Sequence, residues 1–205
     1  MTLDYLTIET SSPAGAAVIW LHGLGASADD FYNLPEQLTL PNSLAIRFIF
    51  PQAPLLRVTI NNGYVMPAWY DIRGLDKKSR EDEAGLHRSQ AALNELIEIQ
   101  IQDGIPPERI ILAGFSQGGA VSLFCGLRYP KTLGGIIALS SYLALASNLK
   151  AEVNTANRHI PIFMAHGQYD TVVSAEWAAL SCAKLEKLGA KVSWHLFTME
   201  HQVCP

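Results

Sequence analysis

Residues Arg109-Ile110-Ile111-Leu112-Ala113-Gly114-Phe115-Ser116-Gln117-Gly118 decide how the rest of the chain is read. Ile110 to Ala113 are apolar at every position, as in a strand buried on both faces, and Gln117 to Tyr129 carry a helical pattern. Between the two lies Gly114-Phe115-Ser116-Gln117-Gly118, the spacing G-x-S-x-G. A sharp strand-to-helix turn of this kind holds the serine hydroxyl clear of the sheet, and glycines on either side let the turn pack against its neighbours. Glycine-rich turns are common, so context gives the pattern its meaning: a buried strand directly before it and a helix directly after it.

Outward from this turn, apolar runs with β-branched residues alternate with longer helical patterns, the signature of βαβ units in a mostly parallel sheet. Strands are expected at Leu3 to Ile8, Ala17 to Leu21, Ala45 to Phe50, Arg109 to Gly114, Gly135 to Leu139, Ile160 to Ala165 and Lys191 to Phe197. Helices are expected at Ala28 to Leu38, Glu81 to Asp103, Gln117 to Tyr129 and Ala175 to Leu188. The second of these follows Ser79, with Asp82 at capping-box spacing, and is ended by Gly104 and Pro106. The fold class is therefore α/β: a mostly parallel central sheet with helices on both faces. The segment Pro51 to Arg80 is long and rich in Asn, Gly and Pro, yet it also carries Val58, Ile60, Val65, Met66, Trp69 and Tyr70. It reads as a lid or a disguised hairpin. No repeat or linker divides the chain, so residues 1–205 are expected to form one domain.

Composition narrows the function classes. Formal net charge is −4 and no basic run exceeds Lys77-Lys78, which argues against nucleic acid or an anionic membrane as partner. No stretch reaches the ~18 apolar residues of a membrane span, and Asp4 and Glu9 stand where a signal peptide needs basic residues. A cytoplasmic location is expected. Cys125, Cys182 and Cys204 lie in no Cys-x-x-Cys or zinc-type arrangement and read as free thiols, with no metal implied.

A serine hydroxyl is a weak nucleophile at neutral pH unless a histidine takes its proton, and that histidine needs a carboxylate to fix its tautomer. In this architecture the chain order is Ser, then Asp or Glu, then His. Asp170 follows the strand Ile160 to Ala165, and His201 follows the strand Lys191 to Phe197, so both stand at strand ends where ligands of open α/β sheets gather. Of the six histidines, His87 and His159 read as surface residues and His195 as a packed strand residue. His22 and His166 also lie at strand ends, although His166 sits close to Asp170 for the expected order. Glu200 competes with Asp170 as the acid but, as the immediate neighbour of His201, points away from it in extended chain. The run His22-Gly23-Leu24-Gly25 follows another strand, where such loops supply one backbone N–H to an oxyanion hole; the amide of Gln117 is the second donor. Alone, that run is equally an ordinary strand-ending turn. From the segment Pro51 to Arg80, Met66, Trp69 and Leu75 are candidates to line an acyl groove, against the ordinary reading that each packs in the core.

Together these motifs resemble the acyl-protein thioesterases and bacterial carboxylesterases of the phospholipase/carboxylesterase group, on the α/β-hydrolase fold. The resemblance rests on Leu21 to Gly25, Phe50 to Pro54, Met66 to Ile72, Gly114 to Ala120, Leu139-Ser140, His166 to Asp170 and His201. It implies a Ser116, Asp170 and His201 triad, an oxyanion hole from the amides of Leu24 and Gln117, and no cofactor. It further implies hydrolysis of short to medium acyl esters or thioesters, with acylated proteins or lysophospholipids as substrates, and homodimers. Members continue past the catalytic histidine into a final helix, whereas this sequence stops at Pro205. Two rival readings share the scaffold: a non-catalytic binding protein, and acyl transfer to an alcohol or amine through the same acyl-enzyme. A dienelactone-type hydrolase would prefer cysteine at position 116.

Overall fold

The structure, a computed structural model, describes residues 3–41, 43–74 and 80–204. Among these residues nine strands form, β1 (Tyr5–Glu9), β2 (Ala16–Leu21), β3 (Ile46–Pro51), β4 (Leu55–Val58), β5 (Tyr64–Pro67), β6 (Ile110–Phe115), β7 (Gly135–Leu139), β8 (Pro161–Gly167) and β9 (Lys191–Phe197). The helices are α1 (Leu34–Gln37), α2 (Glu83–Gln102), α3 (Gln117–Gly126), α4 (Leu149–Glu152) and α5 (Ala175–Lys187). Seven strands make one sheet in the order β1-β3-β2-β6-β7-β8-β9; only β1 runs antiparallel, and each remaining neighbour pair is parallel. This is the α/β-hydrolase architecture.

The period-two alternation of the central strands divides the core between two faces. In β2, Ile19 and Leu21 join the larger cluster, while Val18 and Trp20 join the smaller one beside Phe48 and Phe50 of β3. The larger cluster takes Leu86, Leu93, Leu96 and Ile97 from α2, Val121, Leu123 and Phe124 from α3, and Leu185 from α5. On the other face Phe31, Tyr32 and Leu34 cover Trp20, Phe48 and Phe50. Farther along that second face Phe163 and Phe197 are 38% and 41% exposed.

Two expected elements take a different form. Over residues 28–38 only Leu34–Gln37 is helical. The preceding chain runs as successive turns, with Asp30 N–H on the Ser27 carbonyl, Tyr32 N–H on Asp29 and Leu34 N–H on Phe31. Pro35 brings no N–H to extend a helix backwards, and Ser27 bonds the Asp29 carboxylate instead of capping one. Helix α2 starts at Glu83 with Asp82 as its N-cap residue. Ser79 lies outside the described residues. Asp82 gives its carboxylate to Asp71 N–H (3.0 Å) and to the Arg73 guanidinium, so it ties the helix start to the preceding loop.

Within residues 51–80, β4 and β5 pair as an antiparallel hairpin with Val58 opposite Tyr64. Asn62 (φ 55°) and Gly63 (φ 73°) turn it, the left-handed pair that Asn-Gly supplies at low cost. Thr59 N–H and Oγ1–H both bond the Asp71 carboxylate at 2.7 Å, and Ile60 N–H bonds the Ile72 carbonyl. The hairpin is thereby strapped to the chain that returns toward α2.

Candidate active site

At the C-terminal edge of the sheet, β6 passes into α3 through Ser116, whose φ of 54° and ψ of −118° lie in a sparsely populated region. The surroundings hold that conformation from both sides. A Cβ at Gly118 would stand 2.2 Å from the Leu21 carbonyl oxygen, and one at Gly114 2.4 Å from the Gly118 carbonyl carbon, so the G-x-S-x-G glycines answer a steric demand. Ser116 N–H is anchored on the Leu139 carbonyl at 2.8 Å.

The serine Oγ lies 2.9 Å from Nε2 of His201, whose Nδ1 lies 2.6 Å from Oδ2 of Asp170. The remaining oxygen of Asp170, Oδ1, accepts from Val172 N–H (2.9 Å) and Val173 N–H (2.8 Å), which aims Oδ2 at the imidazole. With Nδ1–H donating to the carboxylate, Nε2 is left as the acceptor facing the serine hydroxyl. The loops bearing Asp170 and His201 are joined directly: Gln168 N–H bonds the Phe197 carbonyl and Tyr169 N–H the Met199 carbonyl. The ring of Phe115 packs on His201 at 4.8 Å between centroids.

Ser116, His201, Gly23, Leu24 and Gln117 share a cleft of about 300 Å³. As the first residue of α3, Gln117 has a main-chain N–H without an intrahelical acceptor. The loop carrying Leu24 is braced by Gly25 N–H on the Pro67 carbonyl and by His22. His22 is buried; its Nε2 accepts from Ala53 N–H at 3.1 Å and its Nδ1–H donates to the Gly23 carbonyl at 2.7 Å. Burial holds its pKa below the ordinary histidine value, more than that backbone contact raises it. The far walls are Ile60 and Asn61 from the hairpin, Ile72, Tyr142, and Val172 and Val173. A second cavity of about 170 Å³ shares Ile72 and Tyr142 with this cleft.

The candidate groove residues lie elsewhere. Trp69 is 2% exposed and is absent from the lining of this cleft; its Nε1–H is committed to the His22 carbonyl at 2.9 Å, and its ring walls a separate apolar cavity with Leu3, Pro54 and Leu56. Met66 backs the Leu24 loop, its Sδ 3.6 Å from where a Cβ on Gly25 would stand, and accepts from Asn61 Nδ2. Leu75 lies outside the described residues. What the sequence did not suggest were Tyr142, Val172, Val173 and Ile72 as cleft walls, and a role for the Gln117 side chain. The Asn62-Gly63 pair was the available signal for a hairpin that would bring Ile60 here. Among the described residues no group of three His, Cys, Asp or Glu side chains is placed to hold a metal ion, and no helix is long and apolar enough to cross a membrane.

Residues 4–205 match the family profile described as phospholipase/carboxylesterase. Acyl-protein thioesterase 1 of Schizosaccharomyces pombe is 42% identical over 183 residues, covering 89% of this chain and 81% of that protein. Acyl-protein thioesterase 1 homolog 1 of Dictyostelium discoideum is 42% identical over 176 residues, covering 85% and 77%. Among solved structures, SOBER1 of Arabidopsis thaliana superposes with a TM-score of 0.88 at 30% identity over 92% of this chain and 91% of its own. Acyl-protein thioesterase 2 of Zea mays gives 0.87 at 26% identity over 98% and 93%.

Proposed function

The chain belongs to the phospholipase/carboxylesterase family, and from that premise we propose that Ser116 is the nucleophile, His201 the base and Asp170 the orienting acid of its ester hydrolysis. The protein is a serine hydrolase of carboxylic esters and thioesters. The observation that carries the residue assignment is the continuous path Ser116 Oγ, His201 Nε2 (2.9 Å), His201 Nδ1, Asp170 Oδ2 (2.6 Å) at the floor of an open cleft.

In the proposed cycle the Ser116 oxygen attacks the acyl carbonyl as its proton passes to His201 Nε2. The negative oxygen that develops is met by the amides of Leu24 and Gln117. Collapse expels the alcohol or thiol, which takes the proton from His201, and leaves the acyl group on Ser116. Water then gives its proton to the same nitrogen, attacks the acyl-enzyme and releases the acid. Asp170 keeps its charge throughout and stabilises the imidazolium.

The mostly apolar cleft suits a short to medium acyl chain. Acylated proteins are the proposed substrates, in line with the names of the relatives, and lysophospholipids the second choice. Cytoplasmic location and homodimer formation complete the proposal; three free cysteines and a sequence pI near 5.8 suit the former. Light scattering of the purified protein tests the latter.

Intact-mass analysis after a fluorophosphonate, beside turnover of p-nitrophenyl esters from acetate to dodecanoate, tests the assignment. One adduct mapped to Ser116, with turnover lost in Ser116→Ala, is the expected result. Turnover near the parental level in Ser116→Ala would exclude this site.

A further inference from the structure

His166 is the next-to-last residue of β8 and is fully buried. Its Nε2 lies 2.8 Å from the carbonyl oxygen of Val173 and 3.2 Å from Oδ2 of Asp170, the same oxygen that accepts from His201. Both neighbours of Nε2 are acceptors, and a lone pair there would face two oxygens; the ring proton therefore sits on Nε2. Nδ1 is then a bare acceptor, buried with no hydrogen-bond partner among the described residues. A second proton on Nδ1 would be buried without an acceptor, and burial holds the His166 pKa below the ordinary value. His166 is thus a neutral donor, which neither takes the Asp170 charge away from His201 nor competes for its proton.

We infer that His166 is a positioning residue whose Nε2–H, donated to the Val173 carbonyl, locks the 170–173 turn, and through its two N–H groups the Asp170 carboxylate, in the orientation His201 needs.

A carboxylate rotates about its terminal torsion within a broad well unless its oxygens are held. In Asp170 the N–H groups of Val172 and Val173 hold Oδ1 and His201 is the donor at Oδ2, with His166 Nε2 in contact at 3.2 Å. Without His166 the turn that carries both of those N–H groups would lose its buried donor at Val173. The same bond reaches the cleft: it fixes the Val173 carbonyl, and Val172 and Val173 are cleft walls. One buried ring thereby ties the acid to the surface against which substrate lies.

The inference rests on Asp170 being the orienting acid, and the test separates the two. Glutamine at 166 places an amide N–H near the position of Nε2, whereas asparagine places it near Nδ1, so the two variants are similar in polarity and differ in where the donor stands. In p-nitrophenyl ester turnover, His166→Gln is expected within about threefold of the parent. His166→Asn is expected to lose about 10- to 100-fold, the usual effect of removing a partner that orients a functional group, with the loss in kcat and KM within about twofold. Thermal melts of both report folding. Should His166→Asn fail to fold, the far-downfield proton of the His201–Asp170 bond is compared between parent and His166→Gln, and its disappearance in an active His166→Gln would overturn the inference. Equal activity of the Gln and Asn variants, whether both high or both low, would also overturn it. Asp170→Asn in the same assay addresses the premise: near-parental kcat there removes the triad assignment itself, whereas a crippled Asp170→Asn beside an unaffected His166→Asn removes only the role of His166.

Discussion

The side chain of Gln117 clasps the backbone at Trp69: Oε1 accepts from Trp69 N–H at 2.9 Å, while Nε2 donates to the neighbouring Tyr70 carbonyl at 2.8 Å. One residue thus lines the cleft from the first position of α3 and uses its side chain to hold the chain that leads to Ile72. Gln117→Ala keeps the main-chain donor but leaves a buried N–H and carbonyl unpaired, at a cost of about 1–3 kcal/mol for each group left unsatisfied. The variant is expected to unfold at lower urea concentration and to lose activity partially, against the near-complete loss in Ser116→Ala. Urea denaturation and ester turnover measured together check this.

Backbone conformation at Ser116 sets stability against activity. A non-glycine residue in that region carries about 1–3 kcal/mol of strain, and glycine relieves it while adding about 0.5–1 kcal/mol of unfolded-state entropy. Ser116→Gly is therefore expected to melt higher than Ser116→Ala, with both inactive. Calorimetry of the two dead variants side by side is the measurement.

How much of this was legible from the sequence differs by region. The seven main-sheet strands were, because burial on both faces leaves runs such as Ile110 to Ala113 with no polar position, and so was the meeting of Ser116, Asp170 and His201, because strand ends are marked by the runs before them. The cleft walls were not. Tyr142 is positioned by a bond to a residue 72 positions away and Ile60 by one to Ile72, pairings that no local pattern encodes. The helix expected over 28–38 shows the converse: Phe31, Tyr32 and Leu34 are spaced for a buried face, and successive turns bury the same residues. Proximity to Asp170 counted against His166 as the base, and that same proximity sets its Nε2 3.2 Å from the Asp170 carboxylate.

Stability should fall on mild acidification. His22 and His166 both have pKa values depressed by burial, so the unfolded chain takes up protons near the ordinary value of about 6.5 before the folded chain does. The contribution is neutral above that pH and becomes destabilising as pH falls below it, levelling off only below the depressed folded values. Urea midpoints at pH 7.5 and 5.5 should show the drop, and His22→Gln should make it smaller.

Tyr142 separates the Ser116 cleft from its neighbouring cavity. Its hydroxyl lies 2.7 Å from that of Tyr70 and its ring stacks on Trp177 at 3.9 Å between centroids, so the partition is rigid. Tyr142→Ala should join the two spaces and raise the octanoate-to-acetate ratio of kcat/KM, at a stability cost of about 3–5 kcal/mol, as for other large aromatic deletions. An unchanged ratio would show that the acyl chain leaves the cleft by another wall.

Gln168 N–H bonds the carbonyl of Phe197, the last residue of β9, and Tyr169 N–H that of Met199 just beyond it, so the chain that carries Asp170 after β8 is tied to the chain that carries His201 after the outermost strand, while Ser116 is rooted between β6 and α3 near the centre of the sheet. An edge strand has one neighbour where a central strand has two, and Phe197 at the end of β9 is half-open to solvent. Local opening begins at such margins. Progressive denaturation should therefore silence the enzyme while the centre of the sheet is still folded, and on return to native conditions hydrolysis should be the last property regained.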